Sequence, residues 1–252
     1  MQGILEIYGD YRDEGVMSRK ITEGKEIELV RSYISYRKEQ FNNKNCSCNK
    51  NLAIFLEPKV DNAYPDIVFV EYNPESYENW NETRNNLLKE DLKILYHIYA
   101  TRGQNASELV LQLGVSWKGL MLTIERLNDA GLIYRENQQW QVKDISKIST
   151  YGIEAVEAKM NQWNQVLQQS IINRNFASES YVLSVVKSTP QNATLAKFKK
   201  FGIGVCLKDG DDFNIIKQAQ KTEIPSNFNS IFFNEWIGRI LNAREKKTYV
   251  IG

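Results

Sequence analysis

Apolar residues in the first part of the chain recur with two spacings, one typical of a helix and one typical of strands. Between about residues 23 and 41 they follow helical spacing, which predicts an amphipathic helix. The segments "LAIFLEPKV" and "YPDIVFVEY" are rich in β-branched and aromatic residues and are separated by the turn "DNA". We therefore expect two neighbouring β-strands between residues 52 and 72.

The pattern changes to three helical segments and a hairpin between residues 84 and 144. The helical segments are "RNNLLKEDLKILYHIYATRG", "SELVLQL" and "WKGLMLTIERLNDAG". Gly131 is expected to cap the third helix, because glycine tolerates the left-handed backbone found after many helix ends. "LIYRENQQWQVKD" then predicts a hairpin that turns near residues 136–138.

Strands and helices alternate again after residue 147. The segments "TYGIEAVEAK" and "ESYVLSVV" predict strands, and a helix is expected after each of them. Two more strands and a last helix, "NSIFFNEWIGRILNARE", follow. The middle segment therefore looks like an insertion: residues 1–80 and 147–252 are expected to form one α/β domain, interrupted by a second domain at residues 81–146.

The composition is that of a globular protein with an ordinary core. Hydrophobic residues make up 42% of the chain and charged residues 25%, with a formal net charge of +1. A strongly basic nucleic-acid footprint is absent, so any such binding must come from a local patch.

Sequence features also bear on localisation. No run of 18 apolar residues predicts a membrane span, and the N-terminal segment lacks the apolar stretch of a secretory signal. The chain has three cysteines, a low and odd number that is typical of a reducing compartment. A cytoplasmic protein is expected.

The middle segment resembles the winged helix-turn-helix family over residues 84–144. The resemblance rests on the order of helix, helix, turn, helix and hairpin, and on the phrase "GVSWKGLMLTIERLNDAGLIYR". It implies a recognition helix that enters the DNA major groove, with candidate contacts at Trp117, Lys118, Met121, Arg126 and Arg135. Residues 84–144 carry a net charge of only +1, so docking of a partner protein is the alternative role.

An acidic residue and a lysine lie two positions apart at the end of an apolar strand, at Glu157 and Lys159. Residues at this spacing point to the same face of a strand. The spacing alone is weak, because the chain contains four other acid-x-lysine triplets. The apolar context separates this pair, since charges there are costly unless they are paired or used.

Asp66 supplies a second acidic position, directly after Pro65 and before an apolar strand. "PD" at residues 65–66 and "EAK" at residues 157–159 resemble the PD-(D/E)xK nuclease superfamily. The order of acidic helix, hairpin with "PD", strand with "ExK", helix and strand also matches. The resemblance covers about residues 22–74 and 147–220. It implies a restriction-endonuclease-like mixed sheet flanked by helices, interrupted here by the winged helix-turn-helix domain.

The resemblance also implies a metal-dependent site for hydrolysis of DNA phosphodiesters. Asp66, Glu157 and the carbonyl of Ala158 would hold Mg²⁺ or Mn²⁺, which prefer oxygen ligands. Lys159 would orient the attacking water or offset charge in the transition state. Glu26 is the favoured additional carboxylate from the first helix.

The non-catalytic alternatives follow from the same residues. Glu157 and Lys159 also fit a surface ion pair, with Asp66 as a turn residue. The expected function is an Mg²⁺-dependent endodeoxyribonuclease of a prokaryotic defence, repair or mobile-element system. The alternatives are a non-catalytic DNA-binding regulator and a protein-interaction subunit with the same fold. DNA is the expected partner, a protein bound through the winged helix and a homodimer are further options, and no membrane partner is expected.

Overall fold

The computed structural model describes residues 3–9, 11–20, 23–43, 49–143, 148–160, 162–224 and 227–251, without the side chains of residues 247–251. In chain order the helices and strands are β1 (Ile4–Ile7), α1 (Lys25–Asn43), β2 (Asn51–Leu56), β3 (Ile67–Tyr72), α2 (Lys89–Ala100), α3 (Ala106–Leu113), α4 (Trp117–Asp129), β4 (Ile133–Glu136), β5 (Gln139–Val142), β6 (Thr150–Ala158), α5 (Trp163–Asn173), β7 (Glu179–Val185), α6 (Asn192–Lys200), β8 (Gly204–Asp209), β9 (Asp212–Lys217) and α7 (Phe228–Ile251).

The chain forms two compact units, and both are discontinuous. The first comprises Met1–Pro74 and Thr150–Asn229, and the second comprises Glu75–Ser149 and Ser230–Gly252. Along the chain, residues 75–149 thus separate the two segments of the first unit. The boundaries differ from those expected, because the residues after 229 group with the second unit.

The first unit is built on a seven-stranded mixed sheet with strand order β1-β2-β3-β6-β7-β8-β9. β1 pairs in parallel with β2, and β2, β3 and β6 are antiparallel neighbours. β6, β7 and β8 run parallel, and β9 closes the sheet as an antiparallel strand. The chain is therefore an α/β protein with helices against its sheet, as expected at this level.

The two faces of this sheet are covered by different helices. Alternate residues of a strand point to opposite faces. Val156 and Ala158 of β6 pack in one apolar cluster with α1, where Tyr33 is buried. On the other face, Val182 of β7 packs with Val166 of α5. Glu157 lies between Val156 and Ala158, so alternation directs its side chain away from the α1 face.

The second unit has a core formed by three helices, a hairpin and α7. Leu95 of α2, Leu109 of α3 and Leu127 of α4 lie in one buried cluster, together with Ile231 of α7. β4 and β5 pair as an antiparallel hairpin. Asn137 and Gln138 at its turn both have positive φ, the backbone of the two-residue turns that match strand twist.

Glycine and asparagine determine two helix ends in the second unit. Gly131 has a φ of +67°, and its N–H donates to the carbonyl of Asn128, as the sequence predicted for the end of α4. Asn105 accepts a hydrogen bond from the N–H of Glu108, whose carboxylate accepts from the N–H of Asn105. This reciprocal arrangement satisfies two N–H groups at the start of α3.

The last helix differs most from the expected domain assignment. Residues 147–252 were expected to continue the α/β domain, yet α7 from Ser230 onward belongs to the second unit. Its Glu235 binds Arg84, and its Asn234 accepts hydrogen bonds from Tyr77 and from the N–H of Ser149. These buried polar contacts join distant parts of the chain, so local periodicity does not indicate them.

Two features at the start of the first unit also differ from expectation. β1 was not predicted, because it has only four residues and pairs with a distant strand. β2 ends at Leu56, earlier than the expected strand through Val60. Glu57 follows with a φ of +48°, a left-handed conformation that does not continue a strand.

Candidate functional site

The ends of two neighbouring strands bring Asp66 and Glu157 together. β3 and β6 are antiparallel, with Ile67 opposite Val156. Asp66 lies just before β3 and Glu157 is the next-to-last residue of β6, at the same end of the sheet. Their side chains interact through charge, because the negative charge of Asp66 contributes to raising the pKa of Glu157. Asp66 borders a cavity with Ile27 and Val30 of α1, whereas Glu157 contacts Asn173 of α5.

Glu157 is a buried carboxylate held by one amide. Its side chain is almost fully enclosed, and Nδ2 of Asn173 in α5 donates to Glu157 Oε1 at 2.7 Å. Burial and the negative charge of Asp66 raise the pKa of Glu157 to about 8, while the Asn173 hydrogen bond and Lys159 oppose this shift. Sequence reasoning did not single out Asn173, a polar residue at the end of a helix.

The Asp66 side chain is also mostly buried, and it has more contacts than that of Glu157. The N–H of Ala158 donates to Asp66 Oδ2 at 2.7 Å. Burial raises the pKa of Asp66 to about 6, and Glu57 acts in the same direction, against the Ala158 hydrogen bond and the positive charges of Lys159 and Arg19. Ala158 thus contacts Asp66 through its N–H, whereas the resemblance implies a metal contact through its carbonyl.

Lys159 reaches the first helix. Its Nζ donates to Glu26 Oε2 at 2.6 Å, in the first turn of α1. Glu157 and Lys159 therefore contact different helices, α5 and α1, and do not lie as an isolated pair on one strand face. The positive charge of Lys159 opposes the rise in the pKa of both Asp66 and Glu157. The four predicted catalytic side chains are brought to one end of the sheet.

Arg19 and Glu57 join this group, although neither belongs to the predicted site residues. Arg19 Nε donates to Glu57 Oε2 at 2.5 Å, and Arg19 Nη2 lies 3.6 Å from Asp66 Oδ1. Glu57 is 4% exposed. Glu57 directly precedes Pro58 at the end of a strand, and nothing in that local sequence predicts that its side chain is buried. Arg19 has no periodic pattern around it that would reveal its position.

These side chains border a cavity of about 220 Å³. It is lined by Arg19, Glu26, Ile27, Val30, Glu57, Asp66 and Lys159. Glu157 is not among the lining residues, and its link to the group is the charge interaction with Asp66. The cavity therefore presents three carboxylates and two cations from five separate segments of the first unit.

A magnesium ion at this end of the sheet would have two carboxylates, those of Asp66 and Glu157, as side-chain ligands. Mg²⁺ is held by one or two carboxylates and keeps several waters. Asp66 and Glu157 supply two buried carboxylates whose mutual repulsion a cation would relieve. Among the described residues there is no cluster of three or more histidine, cysteine, aspartate or glutamate side chains arranged to hold a metal. Metal binding here would thus depend on the two carboxylates with water and backbone oxygen.

The raised pKa values predict how the stability of the metal-free protein depends on pH. A carboxyl group with a higher pKa in the folded state contributes stability below its unfolded pKa, and this is lost as the pH rises through the folded pKa. The two groups titrate as a pair. We expect the Tm of metal-free protein to fall between about pH 5 and pH 8 because of this pair, given folded pKa values of about 6 and about 8.

Thermal unfolding of two glutamine variants tests this expectation. Glu157→Gln removes the coupling and should flatten the dependence of Tm on pH relative to wild type. Glu71→Gln changes a half-exposed carboxylate of β3 that pairs with Lys50, and should retain the wild-type slope. Superimposable profiles of wild type and Glu157→Gln would contradict the assigned coupling.

The predicted DNA contacts are distributed over two surfaces and one internal ion pair. Trp117, Lys118 and Met121 are exposed on α4. Arg135 is exposed on β4, where its guanidinium lies 5.8 Å from the centre of the Trp140 ring. Arg126 instead binds Asp91 of α2, with Nη2 and Nε at 2.6 and 2.8 Å from the carboxylate oxygens.

Arg126→Ala is therefore expected to affect stability more than DNA affinity. Asp91 is fully buried and also accepts hydrogen bonds from Thr123 and from the N–H of Leu88. Loss of Arg126 should cost about 2 kcal/mol of unfolding free energy, the scale of hydrogen bonds to a charged group. Urea unfolding and a gel shift with a short duplex measure the two effects. A large affinity loss without destabilisation would show that Arg126 contacts DNA.

Comparison with protein-family models, with curated proteins and with solved structures finds no match for this chain. Within the part of the chain that the structure describes, no helix has both the length and the hydropathy needed to cross a membrane. The geometry of the site therefore carries the functional conclusion.

Proposed function

We propose that the protein is a metal-dependent DNA nuclease. The observation that carries the proposal is the meeting of Asp66 and Glu157 at the ends of β3 and β6, with Lys159 and Glu26 beside Asp66. Two acidic residues on adjacent strand ends with a nearby lysine fit the PD-(D/E)xK pattern. The restriction-endonuclease-like and winged-helix identities of the two units are part of this proposal.

Each side chain has a role consistent with its contacts. Asp66 and Glu157 would bind the ion, and Asn173 would fix the rotation of the Glu157 carboxylate through its hydrogen bond. When bound, Mg²⁺ or Mn²⁺ supplies Lewis acidity and lowers the pKa of a coordinated water. Lys159, held by Glu26, would orient the attacking water and stabilise charge on the phosphoryl oxygens. The bond from phosphorus to the leaving sugar oxygen would break as the bond to the water oxygen forms, with the water releasing one proton to solvent and the leaving oxygen taking one up from solvent.

The second unit would provide DNA contact or partner positioning. Arg135, exposed on the hairpin, is suited to a phosphate contact. The net charge of +1 over residues 84–144 predicts few phosphate contacts and hence a shallow dependence of affinity on salt. DNA recognition by this unit is therefore proposed as modest in strength.

A second candidate function is a non-catalytic DNA-binding protein that retains this fold. The ion pairs of Arg19 with Glu57 and of Lys159 with Glu26 favour it, because they partly neutralise the cavity without a metal. A buried Glu157 with a pKa of about 8 is also mostly protonated near neutral pH. These ion pairs stabilise the charged side chains around the cavity whether or not the protein is an enzyme.

Metal titration combined with cleavage assays distinguishes the two candidates. A ligand that binds only the folded state raises Tm, so Mg²⁺ or Mn²⁺ should stabilise wild type and Glu71→Gln. Asp66→Asn and Glu157→Gln should lose both this shift and cleavage. The substrates are plasmid, single-stranded and branched DNA. Wild type that shows neither a thermal shift nor cleavage of any of the three supports the non-catalytic candidate.

A further inference from the structure

The exposed face of α4 is apolar at its centre and charged at its ends. Trp117, Met121 and Leu122 are 54%, 40% and 46% exposed. They border a shallow groove of about 450 Å³, which is also lined by Lys118, Ile124, Glu125, Asn128 and Trp140. Apolar patches of this kind mark interaction sites when polar residues surround them.

This face is poorly suited to a DNA groove. Phosphate contacts supply most of the affinity of DNA-binding modules. Here the exposed face offers Lys118 as a cation but also Glu125 and Asp129, which repel phosphate. Three large apolar side chains would remain against a polar groove. The surface is instead suited to another apolar surface with matching charges.

The order of residues along the face is self-complementary. Lys118, Met121, Leu122 and Glu125 share one side of the helix, because residues three, four and seven apart face the same way. The lysine and the glutamate lie equally far from the midpoint between Met121 and Leu122. In a twofold contact, residue i meets residue j and residue j meets residue i.

We propose that this α4 face binds a second copy of this chain, with the two α4 helices antiparallel about an axis between Met121 and Leu122. Lys118 of each copy then meets Glu125 of the other, giving two equivalent ion pairs. At the centre, Met121 of each copy meets Leu122 of the other. Trp117 extends this apolar contact. An apolar centre with a charged rim is the usual arrangement of an interface.

The charge pattern selects this occupant over others. A different partner protein or DNA could use the apolar groove, but neither would require charges placed symmetrically about its centre. A second copy requires that symmetry. The proposal does not depend on nuclease activity, because the groove lies wholly within the second unit.

Charge exchange between two variants tests the proposal. Wild type should have twice the 29.2 kDa mass of one chain in light scattering and in sedimentation. Lys118→Glu brings two carboxylates together at each rim contact, and Glu125→Lys brings two ammonium groups together, so each variant alone should be monomeric. An equimolar mixture should form a heterodimer, because both rim contacts then join a carboxylate of the Lys118→Glu chain to an ammonium group of the Glu125→Lys chain. The double variant should dimerise again.

Two further variants separate a specific interface from general stickiness. Leu122→Asp removes the apolar centre and should give a monomer. Leu111→Asp changes a residue of α3 that is 83% exposed but does not line the groove, and should remain dimeric. Circular dichroism confirms that each variant is folded.

Three results would overturn the proposal. Wild type could be monomeric over the whole concentration range, or the two single variants could fail to associate when mixed. A loss of duplex affinity in Lys118→Glu without any change in mass would assign this face to DNA instead.

Discussion

Lys159→Ala is expected to reduce DNA cleavage by about 10²–10³-fold, the effect of removing one preorganised electrostatic group in an active site. Metal binding should largely persist, because lysine is not a metal ligand and Asp66 and Glu157 are unchanged. The Mn²⁺-induced rise in Tm therefore separates this variant from Asp66→Asn. Loss of the ion pair with Glu26, which is partly exposed, should cost only about 0–1 kcal/mol of unfolding free energy.

Lys38→Ala is the matched control for this prediction. Lys38 pairs with Glu6 at 2.5 Å, both are partly exposed, and both lie in the first unit away from the cavity. Its stability cost should resemble that of Lys159→Ala, while cleavage stays at the wild-type rate. If Lys159→Ala cleaves as fast as Lys38→Ala, the contact with Glu26 is only a structural ion pair.

Glu235→Ala is expected to lower the free energy of unfolding of the second unit by about 3–5 kcal/mol, because it takes the carboxylate partner from a buried cation. Arg84 and Glu235 are both buried and form two hydrogen bonds of 3.1 and 2.5 Å. The guanidinium also lies 4.0 Å from the centre of the Trp80 ring. Urea unfolding monitored by fluorescence measures the change.

Two controls test whether an uncompensated charge causes this loss. Arg84→Met combined with Glu235→Leu replaces the pair by apolar groups and should recover most of the stability. Lys246→Ala removes an exposed pair with Glu82, between the same helix and the same short segment near Arg84, and should have little effect. If the double variant is no more stable than Glu235→Ala, lost packing rather than uncompensated charge is responsible.

The sequence predicted the two strands that lead to the candidate site. The apolar segments after Asp66 and up to Ala158 form β3 and β6, which are antiparallel neighbours in the sheet. A joint role of Asp66 and Glu157 in one site stays a prediction. The helices and hairpin of residues 84–144 were also predictable, because capping residues and turn residues mark their ends.

The rest depends on contacts between distant residues. Arg19 precedes α1 in an irregular segment, yet it reaches both Glu57 and Asp66. Glu57 is buried, its backbone has a left-handed conformation, and its carboxylate accepts a hydrogen bond from Arg19. Arg126 was interpreted as a DNA contact, but Asp91 of a different helix binds it. Side-chain partners of this kind are not encoded in local periodicity.

The interleaving of the two units has a consequence for folding during synthesis. The first unit needs β8 and β9, up to Lys217, to complete its sheet. The second needs Ile231 of α7 to complete a core that begins near Leu87. Domains commonly fold one after another as the chain emerges from the ribosome. Here neither unit can close its core until residues beyond 200 have been made, so the nascent chain holds unburied apolar surface for most of its synthesis.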